Sequence, residues 1–153
     1  MSDSPPAGFE VQKRIASRCN DAAWTLIEKP DLAASDRVAL VRLAATASYH
    51  WGEIGTERNI AHADLLFAWA LACAGAAAPA LDAAGRALQY FTDKQSEDWE
   101  RAFAHAAMAA SQHCAGNQDG HRRHYDAAQQ LESKLAAGDL KLFQAAFRNV
   151  PRP

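Results

Sequence analysis

The chain has few cysteines and no run of residues typical of β-strands. Its three cysteines, Cys19, Cys73 and Cys114, are widely spaced and form no paired motif, which argues against a disulfide framework. We therefore expect a reducing, cytoplasmic environment. Segments in which Val, Ile or Thr alternate with polar residues are absent, so we expect no β-sheet.

The sequence also lacks a transmembrane segment, a signal peptide and a strong excess of one charge. Its most apolar stretch, residues 65–81, is mostly alanine and is interrupted by Gly75 and Pro79, so it is a poor membrane span. The first ten residues are polar and acidic, unlike a secretory leader. A net charge of -2 offers no attraction for nucleic acid or an anionic membrane, so neither is an expected partner.

The common catalytic motifs are missing as well. There is no Glu-x-x-His pair of a di-iron bundle, no Gly-rich phosphate loop, no Gly-x-Ser-x-Gly and no His-Glu-x-x-His. The sequence therefore predicts no cofactor and favours a non-catalytic protein.

Alanine and helical periodicity are abundant. Apolar residues recur every three or four positions in seven segments, which predicts seven helices joined by short turns. In the first helix this spacing predicts a buried face of Val11, Ile15, Cys19, Ala22 and Leu26. Helix-capping residues are expected at Ser35, Thr56, Ser96 and Asn117.

A repeat of 41 residues is visible in the centre of the chain. It aligns Gly75 with Gly116 and Cys73 with Cys114, at the ends of two predicted helices. We expect an all-α fold of antiparallel hairpins, in a superhelix like that of tetratricopeptide repeats (TPR-like), with a closed up-and-down bundle as the alternative. Residues 8–150 would form a single domain after a disordered tail, residues 1–7.

Two segments, His50–Leu88 and Glu97–Gly116, resemble an uncharacterised bacterial family of TPR-like all-helical proteins. The shared pattern is a His-Trp-Gly turn followed by Gly-Thr and Asn, a Pro-Ala-Leu helix start, and an Asp-Trp segment that opens a helix. The resemblance extends from Ala47 to Pro151 and implies a fold without implying a reaction. The matching positions are His50, Trp51, Gly52, Gly55, Thr56, Asn59, Pro79, Ala80, Leu81, Asp98, Trp99 and Ala104.

This chain departs from the family pattern at polar positions. It has His105, Ala106 and Ala110 where the family has a Tyr-Glu pair and a later Arg. It has His62 and Asp64 where the family has Arg and Glu. A polar pocket shared with the family is therefore not implied.

Polar side chains concentrate around the turn "YHWGEIGTERN", residues 49–59. A histidine beside carboxylates can act as a general base or a metal ligand, and these side chains can also form a polar binding pocket. The alternative is a helix corner in which Gly55 ends one helix and Thr56 caps the next. The candidate ligand-binding residues are His50, Glu53, Asn59, His62, Asp64 and His105.

A second set of polar residues has the chemistry of zinc ligands, because it combines His113, Cys114, His121 and His124. Cys114 lies on the apolar stripe of its helix, whereas His113 lies about 100° around that helix. No Cys-x-x-Cys or His-x-x-x-His motif supports the set, so we predict no metal site.

Two functions are compatible with these observations. The first is a non-catalytic module that binds a protein or peptide, or that self-associates, for example as a homodimer. The alternative is a small-ligand-binding protein or a cryptic enzyme with a polar pocket near His50, Asn59 and His62.

Overall fold

The computed structural model describes residues 5–153, which form seven α-helices and no β-strand. The all-helical fold and the number of helices are therefore confirmed. The helices are α1 (Phe9–Ile27), α2 (Ala34–Ile54), α3 (Glu57–Cys73), α4 (Ala77–Asp93), α5 (Asp98–Cys114), α6 (Gln118–Glu132) and α7 (Ala137–Phe147).

The predicted N-terminal tail falls partly outside the described residues, because residues 1–4 are not among them. Pro5, Pro6 and Ala7 are exposed and precede the first helix. None of the helices in the described range combines the length and the apolar character that crossing a bilayer requires.

Consecutive helices from α1 to α6 pack against each other, and the odd-numbered helices also contact one another. α1 contacts α3, α3 contacts α5, and α5 contacts α7, so these four helices form an inner row. The even-numbered helices pack against this row. The result is an all-α bundle or superhelix built from helical hairpins.

The turns after α3 and α5 have the same geometry, 41 residues apart. Gly75 and Gly116 adopt positive φ angles of 81° and 74°. In each turn the amide after the glycine donates a hydrogen bond to the carbonyl five residues earlier, at 2.9 and 3.0 Å. This bond is that of a Schellman motif, in which a left-handed residue ends the helix. The turn after α4 repeats it with Gln95, at φ 48°, in the place of glycine.

The core consists mainly of alanine, with a few large side chains between the helices. α5 alone buries six alanines. Such small side chains let neighbouring helices approach closely, so α5 can contact α3, α4, α6 and α7. Phe91, Phe143 and Leu66 fill the wider gaps and are fully buried. The larger hydrophobic cluster extends along the chain from Ala23 to Val150.

Two of the four predicted caps are confirmed. The Thr56 hydroxyl accepts a hydrogen bond from the Asn59 amide at 3.2 Å at the start of α3. The Asn117 side chain accepts one from the Gly120 amide at 3.1 Å at the start of α6. Both bonds satisfy amides that the first helical turn would otherwise leave unpaired.

The caps predicted at Ser35 and Ser96 are wrong. α2 begins one residue before Ser35, and Asp36 accepts a hydrogen bond from the N-cap amide at 3.1 Å. Glu97, and not Ser96, occupies the N-cap position of α5, and Glu100 accepts a hydrogen bond from its amide at 3.2 Å. In both helices a carboxylate in the third helical position pairs with the N-cap amide, which leaves Ser35 inside α2 and Ser96 one residue before the N-cap of α5.

The predicted buried face of α1 is also wrong. Val11 and Ile15 are 57% and 37% exposed, whereas Ala16, Ala23 and Ile27 are buried. α1 begins the inner row and packs against α2 and α3. The buried face of α1 is therefore the one that carries Ala16, Ala23 and Ile27, and Val11 and Ile15 lie outside it.

The C-terminal segment returns to the end of α1. The Asn149 side-chain amide donates hydrogen bonds to the carbonyls of Ile27 and Lys29, at 2.8 and 3.0 Å. Arg148 donates to the carbonyl of Glu28 at 3.2 Å. We call this contact of Arg148 and Asn149 with α1 the C-terminal clasp. It places the two ends of the inner row beside each other.

Candidate functional site

A groove of about 670 Å³ lies between the four odd-numbered helices. Along α1 its wall extends from residue 17 to residue 28, which is roughly 16 Å at the rise of an α-helix. Its lining residues are Ser17, Asn20, Asp21, Trp24 and Glu28 from α1 and its C-cap, Trp51 from α2, Asn59, His62 and Leu65 from α3, Trp99 and Phe103 from α5, and Asp139 and Leu142 from α7.

Helical spacing explains why these side chains share one wall. Asp21, Trp24 and Glu28 are three and four residues apart, so they lie on one face of α1. Trp99 and Phe103 are separated by four residues on α5. Each inner helix therefore contributes one stripe to the groove.

Three of the four aromatic rings of the groove, those of Trp24, Trp99 and Phe103, are held by other rings. Trp24 makes edge-to-face contacts with Trp69 and Phe103, with centroid distances of 5.6 and 5.3 Å. Phe103 also packs edge-to-face on Trp99 at 6.3 Å and on the buried Phe143 at 5.2 Å. These contacts set the ring positions before any ligand binds, which reduces the entropy cost of binding.

A buried carboxylate lies behind this wall. Glu100 is 1% exposed and accepts hydrogen bonds from Arg58 Nε at 2.7 Å and from the His62 ring at 2.8 Å. The His62 ring is also stacked on Trp99, with a centroid distance of 5.4 Å. Glu100 thus orients the one histidine that lines the groove in the described part of the chain.

The protonation states of this pair follow from its surroundings. Burial would raise the pKa of Glu100, but the hydrogen bonds from Arg58, His62 and the Glu97 amide outweigh it and lower that pKa below its usual value. Burial lowers the pKa of His62, although the hydrogen bond to Glu100 opposes this effect. Near neutral pH His62 is therefore a neutral imidazole with its proton on Nε2, and Nδ1 keeps a lone pair. A neutral histidine oriented in this way can accept a hydrogen bond or a proton.

Two of the six predicted ligand-binding residues, Asn59 and His62, line the groove. Asn59 also belongs to the corner between α2 and α3. Its side-chain oxygen accepts hydrogen bonds from the Thr56 amide and the Thr56 hydroxyl, both at 3.0 Å. The helix corner and the pocket, which the sequence offered as alternatives, therefore share this residue.

His50 and Glu53 do not line the groove, although they precede it on α2. His50 Nδ1 lies 3.4 Å from the side-chain oxygen of Gln12 on α1, a long contact between the first two helices. Glu53 is exposed. His50 and Glu53 are three residues apart and share a face of α2, but neither side chain lines the groove.

Asp64 is buried and lies outside the groove. It accepts a bidentate pair of hydrogen bonds from Arg86 of α4, at 3.0 and 2.8 Å. Arg86 also pairs with Asp82 one turn earlier. These hydrogen bonds raise the pKa of Arg86 further above its usual value. Asp64 thus links α3 to α4.

His105 faces α6 instead of the groove. Its ring stacks on that of His124, with a centroid distance of 5.3 Å and 3.0 Å between the two Nδ1 atoms. Burial lowers the pKa of His105 to about 4, and the charges of His124 and Arg101 add to this effect. Burial also lowers the pKa of His124. Both rings are neutral near pH 7, so one Nδ1 donates and the other accepts.

The residues with zinc-ligand chemistry do not all converge, although the ring centroids of His113 and His121 lie 4.9 Å apart. His121 Nε2 contacts the carbonyl of Pro151 at 2.8 Å, while His124 faces His105. Across residues 5–153, no three His, Cys, Asp or Glu side chains are arranged to hold a metal ion.

Apart from Asn59 and His62, the residues that line the groove were not among the predicted ligand-binding residues. Asp21, Trp24 and Glu28 share a face of α1 and could have been recognised as a mixed polar and aromatic stripe. Asp139 could not have been found in this way, because its place in the groove depends on where α7 lies. Glu100 was missed because an acidic residue in the first turn of a helix usually has a capping role.

Comparison with protein-family models, with curated proteins and with solved structures gave no match. A proposal about function therefore depends on the groove itself.

Proposed function

We propose that this chain is a non-catalytic binding module whose groove holds a short extended peptide segment of a partner protein. The observation that supports this proposal is the aromatic wall. Trp24, Trp51, Trp99 and Phe103 come from three helices and all line one groove. Large rings held in place are the side chains that most often dominate binding energy at protein interfaces.

The size of the groove suits such a ligand. A length of roughly 16 Å accommodates about five extended residues, at about 3.3 Å per residue. The volume of about 670 Å³ is within the range of pockets that enclose a ligand. We expect a few side chains of the peptide to pack between the tryptophans while its backbone stays partly solvated.

The proposal includes a TPR-like array that works in a reducing cytoplasm. The 41-residue recurrence of the helix-ending turn supports a repeat architecture, and such arrays bind ligands on their concave side. Cys19, Cys73 and Cys114 are free thiols, as expected for that compartment.

A small-ligand pocket with His62 as a base is the second candidate function. The observation that favours it is the hydrogen bond between His62 and the buried Glu100 at 2.8 Å. A reaction would require a substrate whose acidic proton reaches His62 Nδ1. If so, His62→Gln would abolish turnover while leaving ligand binding within about threefold.

The test of peptide binding is selection from a random pentapeptide pool, followed by titration of the selected peptides using tryptophan fluorescence. Leu142 lines the groove and is 61% exposed, so Leu142→Gln should remove apolar contact without unfolding the chain. Val38 is 52% exposed on α2 and does not line the groove, so Val38→Gln is the matched control.

We expect Leu142→Gln to weaken binding about tenfold, because a leucine side chain is no longer buried against the peptide. Val38→Gln should bind like the unchanged protein. Equal affinity of both variants, or the failure of any peptide to bind, would refute a peptide-binding groove. Circular dichroism of each variant confirms that the helices are intact.

A further inference from the structure

The groove is lined by negatively charged side chains as well as by aromatic rings. Asp21, Glu28 and Asp139 line it, and none of the groove residues within the described chain is a lysine or an arginine. None of the three carboxylates takes part in a salt bridge within residues 5–153. They come from two helices that are far apart in the sequence, so the excess of negative charge is a property of the groove.

The position of Glu28 adds to this negative charge. Glu28 is the C-cap of α1, where the helix dipole is already negative. A carboxylate there is unfavourable for the isolated helix. A cation in the groove would relieve this unfavourable interaction.

The cationic side chains that contact groove residues or their partners are already engaged. Arg148 donates a hydrogen bond to the carbonyl of Glu28 at 3.2 Å. Arg58 donates its Nε hydrogen bond to Glu100 at 2.7 Å, and this contact raises the pKa of Arg58. His62 is neutral near pH 7 because burial lowers its pKa. Arg58 and His62 therefore do not offset the carboxylates of the groove. Arg148 lies beside Glu28 without forming a salt bridge to its carboxylate. Asp21 and Asp139 have no cationic partner within the described chain, so an anionic ligand would meet an excess of negative charge.

Tryptophan rings provide a second attraction for a cation, and one face of Trp99 is already stacked on His62. Trp24, Trp51 and Trp99 line the same groove as the carboxylates. The face of an indole ring attracts cations, and guanidinium combines stacking on a ring with paired hydrogen bonds to a carboxylate. A lysine ammonium would gain the charge attraction but not the planar stacking.

We propose that the groove selects peptides that carry an arginine side chain, with the guanidinium between the tryptophans and the carboxylates of α1 and α7. This inference rests on the proposed peptide-binding function and names the chemistry of its ligand. The arginine supplies the specificity, and apolar neighbours in the peptide contact the remaining aromatic surface.

The test uses three pools of end-capped pentapeptides. The central residue is arginine, citrulline or glutamate, and the other four positions are random among uncharged residues. Citrulline has nearly the shape of arginine without its charge, so the difference between the first two pools measures the charge alone. Retention on the immobilised full-length protein is measured by mass spectrometry, at low and at high salt.

We expect the arginine pool to be retained about tenfold more than the citrulline pool at low salt, and the difference to shrink at high salt. Asp21→Asn combined with Asp139→Asn should remove most of the preference, at about two- to fivefold for each carboxylate. Asp126 is exposed on α6 and does not line the groove, so Asp126→Asn should leave the preference unchanged.

The outcomes separate this inference from the proposed function. If all three pools bind equally and Leu142→Gln weakens all of them, the groove binds peptides but the selection of arginine is refuted. A preference for the glutamate pool refutes it as well. If no pool binds better to the unchanged protein than to Leu142→Gln, both the selection and the peptide-binding function are refuted.

Discussion

Acidification should destabilise the fold through the stacked imidazoles of His105 and His124. In the folded chain, burial lowers the pKa of His105 from 6.5 to about 4, and repulsion from Arg101 and from His124 once it is protonated adds to this effect. The unfolded chain takes up the same proton near the ordinary value. The stability from the neutral pair is therefore fully present above pH 6.5 and is lost as the pH falls towards about 4.

The magnitude follows from the pKa difference of His105. A decrease from 6.5 to about 4 corresponds to about 3.4 kcal/mol over the whole interval, of which about 2 kcal/mol is lost by about pH 5. The ring is only half-buried, so water screens part of the effect. We therefore expect a loss of about 1 kcal/mol in the free energy of unfolding between about pH 7.5 and about pH 5.

The measurement is urea unfolding followed by far-ultraviolet circular dichroism at both pH values, for the unchanged chain and for His105→Gln. His50→Gln removes an imidazole outside the pair and is the matched control. Other groups, including His62 and Glu100, contribute to the acid sensitivity of all three proteins. The difference in pH dependence between the unchanged chain and His105→Gln therefore measures the contribution of the His105–His124 pair. If His105→Gln loses as much free energy as the unchanged chain, the explanation is wrong.

Three further substitutions test the backbone at helix ends and within α2. Gly55→Ala should lower the free energy of unfolding by about 2 kcal/mol, because the added Cβ would lie 2.5 Å from the Trp51 carbonyl and 2.9 Å from Asn59 Cβ. Gly52→Ala, where nothing lies within 4 Å, should raise it by about 0.5–1 kcal/mol, and equal effects of the two changes in thermal unfolding would contradict this reasoning. Gln95→Gly should stabilise the chain by about 1 kcal/mol, because glycine adopts a φ of 48° without strain, and an unchanged urea midpoint would rule this out.

Helices were the part of this fold that local sequence could predict. Each needs only a repeating apolar spacing and a stop signal such as Gly75 or Gly116, and both are contained in a few neighbouring residues. Thr56 and Asn117 were recognisable as caps for the same reason. Ser35 and Ser96 were wrongly predicted as caps. Asp36 and Glu100 accept a hydrogen bond from the N-cap amide and place the helix start at a different residue.

The groove was harder to predict, because it depends on helices that are distant in the chain. Asn59 and His62 were identified because they lie beside a conspicuous turn. Trp24 and Asp139 are more than a hundred residues apart, and they line one groove only because the two ends of the inner row, α1 and α7, both border it. Nothing in the local pattern of either helix indicates that arrangement.

The C-terminal clasp changes how the helices should unfold. A stack of hairpins with contacts between neighbours alone can fray from either end, one unit at a time. Here Asn149 is hydrogen-bonded to carbonyls at the end of α1, about 120 residues earlier. Unfolding of either end of the chain must therefore also break these hydrogen bonds. The clasp therefore couples the unfolding of the first helix to that of the C-terminal segment. Folding should finish with that contact, because it has the largest sequence separation and hence the greatest loop-closure cost.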